Sequence, residues 1–378
     1  MRNVYVSGVG LTPVGEHWQA SLRELSYYAI EAVQKDAPNA PQPEALYVGN
    51  MLAGALSHQQ HLGALVADFA GLRGIEAVTV EAAGASGGAA LRQAYLAIAS
   101  GLVESVLVVG VEKMTDKVGS GVTAASATAA DSDWEAAQGA TPAALAAMLM
   151  RRYMHAYNVE LKHFANFSVN AHANAKTNPN AMFRNTITAE AFLKAGMVAE
   201  PVNMFDTAPD CDGAAALLLT AQPGPVRIIA SALATDTLAV HDRPDPLEFA
   251  AVKRSAAKAF QMAGITPEQV NVLELFDAFT IFSVLSLEAS GFAERGKGWE
   301  LAQNGEITIT GKTPLSTFGG LKARGNPGGA TGLYQAGEIV LQLRGQAGKN
   351  QVPGARYGMC QSIGGAGATS VTHIFQSV

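Results

Sequence analysis

Four segments place glycine or another small residue where we expect a strand or a loop to meet a helix. They are residues 81–90, 274–280, 319–332 and 360–367. Backbone N–H groups at such a turn are ready donors for an anion or for an oxyanion that develops during a reaction, and small residues let a thioester or a phosphate approach closely. Taken alone, each segment is more simply a tight packing turn. None has the spacing of a P-loop or of a dinucleotide-binding glycine motif.

The sequence contains two cysteines, Cys211 and Cys360. Two cysteines cannot form a disulfide framework, and their scarcity is typical of a reducing compartment. The N-terminal residues run directly into a strand-like segment without a charged and apolar leader, and we find no apolar run of about 18 residues. We therefore expect a cytoplasmic protein that does not span a membrane.

The segments that must position these turns alternate between strand and helix. Short apolar runs rich in β-branched residues predict buried strands at residues 4–10, 45–49 and 105–110. Helical patterns occupy residues 21–35, 59–70, 88–100 and 142–157. This alternation predicts an α/β fold with helices on both faces of a mixed sheet.

The second half of the sequence repeats this plan. It has strand-like runs at residues 225–231, 270–275 and 371–375, and the glycine-rich segment ending at residue 332 precedes a helix, as the one at residues 84–88 does. We predict two similar α/β halves, residues 1–222 and 223–378, with a lobe over the site at about residues 115–200.

Composition narrows the function classes. Of 378 residues, 48% are hydrophobic and 15% are charged, and the net charge is −6. This balance predicts a large buried core and argues against a nucleic-acid binder, which would be basic. So few charges on so large a chain also suggest that another copy or another subunit covers part of the surface.

The order and spacing of the four turns resemble the thiolase superfamily over nearly the whole chain. The branch with archaeal acetoacetyl-CoA thiolases and the sterol-carrier-protein type is the most similar, with further support from residues 110–115, 206–216 and 234–243. The resemblance implies two tandem βαβαβαββ-type halves in a five-layered αβαβα arrangement. It also implies a homodimer and an acyl-CoA substrate, with coenzyme A present only as part of that substrate and no covalently bound cofactor.

The chain departs from the family at each catalytic position. Gly84 stands where the resemblance places the nucleophilic cysteine, and Asn326 stands in place of the histidine of the G-H-P motif. In the motif that pairs a histidine with a cysteine, Phe276 and Ala278 occupy those two positions, and Ser362 aligns with the C-terminal cysteine. Glycine cannot carry an acyl group and asparagine cannot take a proton at neutral pH, so we expect no thiolase chemistry.

What remains is a scaffold for a thioester. The candidates for thioester and CoA binding are the backbone or side chains of Gly84, Ser86, Gly364 and Gly365, with the cations Lys322, Arg324 and Arg243. The catalytic candidates are Tyr357, Asp277 and Tyr334 as bases, Asn326 as an amide donor, and Ser362 and Cys360 as unusual nucleophiles. His58 and His61 have helical spacing but no third ligand, so we expect no metal site.

Three functions fit these residues. The first resembles thiolase-like retro-aldolases of steroid side-chain degradation, which lack the nucleophilic cysteine, cleave a β-hydroxyacyl-CoA and pair with a small OB-fold subunit that binds acyl-CoA. The second is a non-catalytic acyl-CoA-binding or scaffolding subunit. The third is acyl transfer through Cys360 or Ser362. We expect an enzyme of the first kind, because retro-aldol cleavage needs only a base and an oxyanion hole.

Overall fold

The computed structural model describes residues 2–378, which form one mixed nine-stranded sheet, a two-stranded hairpin and twelve α-helices. The strands are β1 (Val4–Leu11), β2 (Ala45–Gly49), β3 (Glu76–Val80), β4 (Ser105–Glu112), β5 (Met197–Ala199), β6 (Val202–Asn203), β7 (Gly213–Thr220), β8 (Val226–Thr235), β9 (Val272–Glu274), β10 (Tyr357–Gly364) and β11 (Thr369–Ser377). The helices are α1 (Leu22–Asp36), α2 (Ala53–Leu56), α3 (Leu62–Phe69), α4 (Ser86–Ser100), α5 (Ser120–Ala127), α6 (Pro142–Tyr157), α7 (Ala165–Ala175), α8 (Ala189–Leu193), α9 (Ala250–Ala263), α10 (Thr280–Ala289), α11 (Gly298–Gln303) and α12 (Thr331–Leu343).

The large sheet has the order β3-β2-β4-β7-β1-β8-β11-β10-β9, so the strands of each half stay together. The halves meet where β1 pairs with β8 over Val4, Tyr5 and Val6. Helices α4 and α12 pack on each other and on strands of both halves, whereas α1 packs on the first-half strands and α9 on β8 and β11. The elements therefore stack in space as five layers. Helix α1 and the first-half strands lie on one side of α4 and α12, and the second-half strands and α9 lie on the other. This is the layered α/β fold that the sequence predicts.

The local sequence explains the elements that frame the site. Helix α6 begins after Thr141, whose side chain accepts a hydrogen bond from the N–H of Ala144, and Pro142 occupies the first turn. Strand β4 is buried along its whole length, as its run of valines predicts. Helix α4 begins directly after the turn at Gly84, and its first turn packs against the second half, where a Cβ on Gly87 would lie 2.8 Å from the carbonyl oxygen of Gly329.

One of the four turns differs from the prediction. We expected residues 360–367 to lead from a strand or a loop into a helix, but Cys360 lies within β10, and Gly364 to Thr369 form the hairpin turn into β11. The N–H groups of Gly364 and Gly365 therefore belong to a hairpin and not to a helix N-terminus. Within residues 2–378, no helix combines the length and hydrophobicity that a membrane crossing requires.

Candidate functional site

A cavity of about 470 Å³ lies where the turn before α4, the loop before α12, the lobe and β10 come together. Its wall is mostly apolar and carries no lysine, arginine, histidine or cysteine. Five residues that the sequence analysis singled out line this cavity: Gly84, Phe276, Ala278, Asn326 and Gly365. The lobe contributes Thr123, Ser126, Thr141, Pro142, Ala143, Leu145 and Val198.

The turn at Gly84 has no room for a side chain. A Cβ atom at this position would lie 2.6 Å from Cζ of Phe276 and 2.7 Å from the carbonyl oxygen of Ile363. Ser86 does not face the cavity, because its hydroxyl accepts a hydrogen bond from the N–H of Ala82 and donates one to the carbonyl of Ala83. Ser86 therefore holds the turn in shape.

Asn326 presents an amide donor to the cavity. Its Oδ1 accepts a hydrogen bond of 2.8 Å from the hydroxyl of Thr331 at the start of α12. This contact fixes the side-chain amide, and its Nδ2 has no partner among residues 2–378. A donor held in this way can stabilise a negative charge that develops on a thioester oxygen.

Asp210 is a site residue that the sequence analysis missed. Its backbone forms a bridge with that of Asn326, and its side chain lines the same cavity. The carboxylate is open to the cavity, yet protein surrounds much of it, and this loss of hydration raises its pKa. No donor or cation among residues 2–378 holds the carboxylate. It lies inside residues 206–216, where the sequence alone does not distinguish it from Asp206 and Asp212, whose carboxylates are both buried.

Glu112 holds two walls of the cavity in place. Its carboxylate accepts hydrogen bonds from the N–H groups of Met51, Leu52 and Gly329 and from the amide of Asn50. Met51 and Leu52 line the cavity, as does Gly328. Burial raises the pKa of Glu112 to about 7 despite these donors.

The structure places four of the catalytic candidates away from the cavity. Tyr357 begins β10, at the opposite end of the strand from Gly364. Tyr334 is fully buried and bonds to Thr12. Ser362 is also buried and donates to Gln335. Cys360 is buried in β10. The two tyrosines were nominated by their nearness in sequence to a turn, and Ser362 and Cys360 by their position relative to the C-terminal cysteine of the family. Strand and helix geometry directs Tyr334, Ser362 and Cys360 into the core, and Tyr357 is half-buried at the far end of β10.

Asp277 is likewise a structural group in this arrangement. It is buried, and its Oδ1 accepts a hydrogen bond of 2.7 Å from the N–H of Leu321. A Cβ at Gly320 would overlap the Asp277 carboxylate, which explains the glycine at that turn. Burial raises the pKa of Asp277, and the nearby Lys322 opposes that rise.

The three candidate CoA-binding cations are buried and engaged. Lys322 donates to the carbonyl of Asp206 at 2.5 Å, and burial lowers its pKa to about 8. Arg324 forms an ion pair of 2.6 Å with Glu338. Arg243 donates to the carbonyls of Thr237, Leu238 and Ala366. Since Ala366 lines the cavity, Arg243 supports that wall, but these cations do not reach a phosphate in solvent.

Neither cysteine is available as a nucleophile. Cys211 and Cys360 are both fully buried, and burial raises the pKa of each thiol. A thiol that stays protonated and out of contact with the cavity cannot accept an acyl group. The described residues also contain no group of three or more side chains of the kinds that bind metals.

Comparisons with known proteins agree with this architecture. Residues 4–222 match the family described as "Thiolase, N-terminal domain", and residues 232–377 match "Thiolase C-terminal domain-like". The acetyl-CoA acetyltransferase of Methanothermobacter thermautotrophicus is 44% identical over 99% of this chain and 100% of its own. The benzoylsuccinyl-CoA thiolase subunit BbsB of Thauera aromatica is 31% identical over 96% and 95%.

A solved structure described as an Ltp2-ChsH2(DUF35) aldolase superposes with a TM-score of 0.87 and covers 99% of this chain and 98% of its own. Its sequence is 23% identical, so it supports the fold alone. The two family matches together cover most of the chain and follow the layered halves described above. On these grounds the chain belongs to the thiolase family.

Proposed function

We propose that this protein cleaves a β-hydroxyacyl-CoA by a retro-aldol reaction without an acyl-enzyme. One observation carries the proposal: the cavity has no thiol and no imidazole, but it holds a free carboxylate, Asp210, beside a free amide donor, Asn326. These two groups match the base and the oxyanion donor that retro-aldol cleavage needs.

In the proposed reaction, Asp210 acts as the base and Asn326 stabilises the enolate. The Asp210 carboxylate takes the proton of the β-hydroxyl group, and the bond between Cα and Cβ breaks. The electron pair of that bond passes into the thioester enolate, whose oxygen accepts a hydrogen bond from Nδ2 of Asn326. The enolate carbon then takes a proton back from Asp210. The products are an aldehyde or ketone and a shorter acyl-CoA, so atoms and charge balance.

The wall of the cavity favours a large apolar group on the β-carbon. Phe276, Phe279 and Phe282 line one side, and the ring centroids of Phe279 and Phe282 are 5.3 Å apart. The small side chain of Ala278 also lines the cavity near these rings. Apolar and aromatic lining of this kind supplies most of the binding free energy of such a ligand.

The test is direct. We would incubate the protein with a β-hydroxyacyl-CoA that bears a bulky apolar β-substituent and follow the carbonyl product and the shorter acyl-CoA by mass spectrometry. Asp210→Asn should abolish the products, whereas Asp68→Asn, which changes an exposed carboxylate paired only with Arg73, should not. Calorimetric binding of the thioester with no turnover of any substrate would instead favour the non-catalytic subunit.

The proposal includes two protein partners. Strand β3 lies at one edge of the sheet and, within residues 2–378, pairs only with β2, while Val78 at its centre is 44% exposed. Such an edge supports a homodimer formed by strand pairing. The DUF35 partner named for the aldolase of similar fold supports adding a neighbour-encoded OB-fold protein to the assay. Light scattering with and without that protein measures both associations.

A further inference from the structure

The buried ring of Phe249 lies behind the phenylalanine wall of the cavity. Phe249 itself does not line the cavity, whereas Phe279 and Phe282 do. The ring centroids of Phe249 and Phe282 are 5.6 Å apart, and those of Phe282 and Phe279 are 5.3 Å apart. Both distances are typical of aromatic rings in contact. The three rings therefore form a continuous row that leads from the cavity into the core of the second half.

The same ring also supports the hairpin turn between β10 and β11. Gly367 has a φ of +97°, and a Cβ on it would lie 2.9 Å from Cε2 of Phe249. The backbone of the turn therefore packs directly on the Phe249 ring. The two preceding residues, Gly365 and Ala366, line the cavity. Phe249 is thus a wedge that contacts two walls of the cavity, one through Phe282 of α10 and one through the hairpin turn.

The backbone of Phe249 pays a local cost for this placement. Phe249 is the N-cap of α9, with a φ of 49° and a ψ of 53°, a left-handed conformation that is a genuine outlier for so bulky a residue. Its side chain makes no capping hydrogen bond, although the N-cap position favours serine, threonine, asparagine or aspartate. Local preferences therefore do not explain a phenylalanine here. A strained residue persists only where the surrounding structure holds it, and such residues concentrate at functional sites.

We propose that Phe249 is a positioning residue that sets the size of the apolar β-substituent that the cavity accepts, by holding Phe282 and the turn at Gly367 in place. The inference rests on the proposed function, which places the acyl group of a β-hydroxyacyl-CoA in this cavity. Because protein interiors are close-packed, Phe282 cannot withdraw for a larger group while the Phe249 ring fills the space behind it. Asp210 and Asn326 carry out the reaction, so Phe249 affects the choice of substrate and not the chemical step.

Calorimetric binding of benzoyl-CoA, naphthoyl-CoA and anthracenoyl-CoA tests this role without requiring turnover. Phe249→Leu removes the ring, so Phe282 can withdraw, and the affinity for the largest thioester relative to the smallest should rise at least about tenfold. Phe249→Met, which keeps an apolar side chain of similar length, should act in the same direction and guards against a leucine variant that does not fold. With β-hydroxyacyl-CoA substrates of the same ring series, KM for the largest should fall while kcat for the smallest changes little.

The control is Phe260→Leu, which makes the same change in α9. The ring of Phe260 pairs with that of Phe292 at 6.2 Å, and neither residue lines the cavity. Phe260→Leu should lower stability and leave the order of affinities as in the wild type. An unchanged affinity ratio in folded Phe249 variants, or an equal change in Phe260→Leu, would overturn the proposal. A changed ratio with no cleavage of any β-hydroxyacyl-CoA would refute the proposed reaction and leave the role of Phe249 standing.

Discussion

The ring of Phe276 occupies the space that a side chain on residue 84 would need, since a Cβ on Gly84 would lie 2.6 Å from its Cζ. The two residues are therefore complementary, and restoring a thiol at residue 84 forces the ring or the backbone to move. We expect Gly84→Cys to cost about 1–3 kcal/mol of stability, as overpacking of a close-packed site does. It should also show no thiolysis, because Asn326 cannot act as a base.

Chemical denaturation and a thiolysis assay check this expectation. Gly196→Cys is the matched control, because a Cβ there meets nothing within 4 Å. Adding Phe276→Ala to Gly84→Cys should recover part of the lost stability, but not all of it, because the Ile363 carbonyl oxygen stays 2.7 Å from the new Cβ position. Brisk thiolysis by Gly84→Cys alone would overturn this view of the site.

The pH dependence of cleavage should report Asp210. Burial raises its pKa above the ordinary value of 3.8, and the base is active only when ionised. The rate should therefore fall as pH falls through this raised pKa. Asp210→Asn should lose at least about a hundredfold in kcat, the lower range for removing a general base. If the residual activity of Asp210→Asn falls at low pH with the same midpoint as the wild type, the acid limb of the pH profile belongs to another group.

The same carboxylate should lower the stability of the folded protein at neutral pH. Because the pKa is higher in the folded than in the unfolded chain, the folded state binds the proton more tightly, and stability falls as pH rises through this window. We expect Asp210→Asn to raise the melting temperature at pH 7 by no more than about 1 °C, because the residue keeps an exposed surface and solvent screens much of the effect. Scanning calorimetry should show this gain shrinking toward pH 4, and a gain that is constant with pH would contradict it.

Most of the fold could be predicted from the sequence, whereas most of the site residues could not. The buried runs at β1, β2 and β4 and the helical periods of α1 and α6 are local signals, and the structure contains all five elements. Site residues depend on which side chains converge across the fold. Tyr357 and Ser362 share β10 with Gly364, yet one lies at the far end and the other points into the core.

Asp210 is the opposite case, a candidate base that the sequence did not indicate and that two features of the fold reveal. Its bridge to Asn326 brings residues more than a hundred positions apart into one wall, and its side chain lacks a partner there. No pattern of spacing encodes the absence of a partner. The buried Lys322 and Arg243 also look like surface cations in the sequence, because each is held by a carbonyl more than a hundred residues away, that of Asp206 for Lys322 and that of Ala366 for Arg243.

Thr331 should affect catalysis through Asn326. Its hydroxyl donates to Oδ1 of Asn326 at 2.8 Å and so fixes the side-chain amide of this cavity-lining residue. Thr331→Val keeps the shape of the side chain and removes this bond, so we expect kcat to fall about tenfold while KM changes little, a smaller loss than removing the donor itself with Asn326→Ala. Thr308→Val, at an exposed hydroxyl that bonds only the carbonyl of Gly305, is the control.

Thiol labelling separates acyl transfer from the proposed reaction. Both cysteines are fully buried and burial raises the pKa of each thiol, so iodoacetamide should leave the folded protein unmodified at neutral pH. Unfolding in guanidinium should expose both, and intact mass should then increase by two labels. The folded protein incubated with acyl-CoA should likewise gain no mass, because Gly84 offers no nucleophile and the thiols do not reach the cavity. An acyl adduct that survives unfolding and maps to Cys360 or Ser362 would show that the chain transfers acyl groups after all, through a local opening of β10.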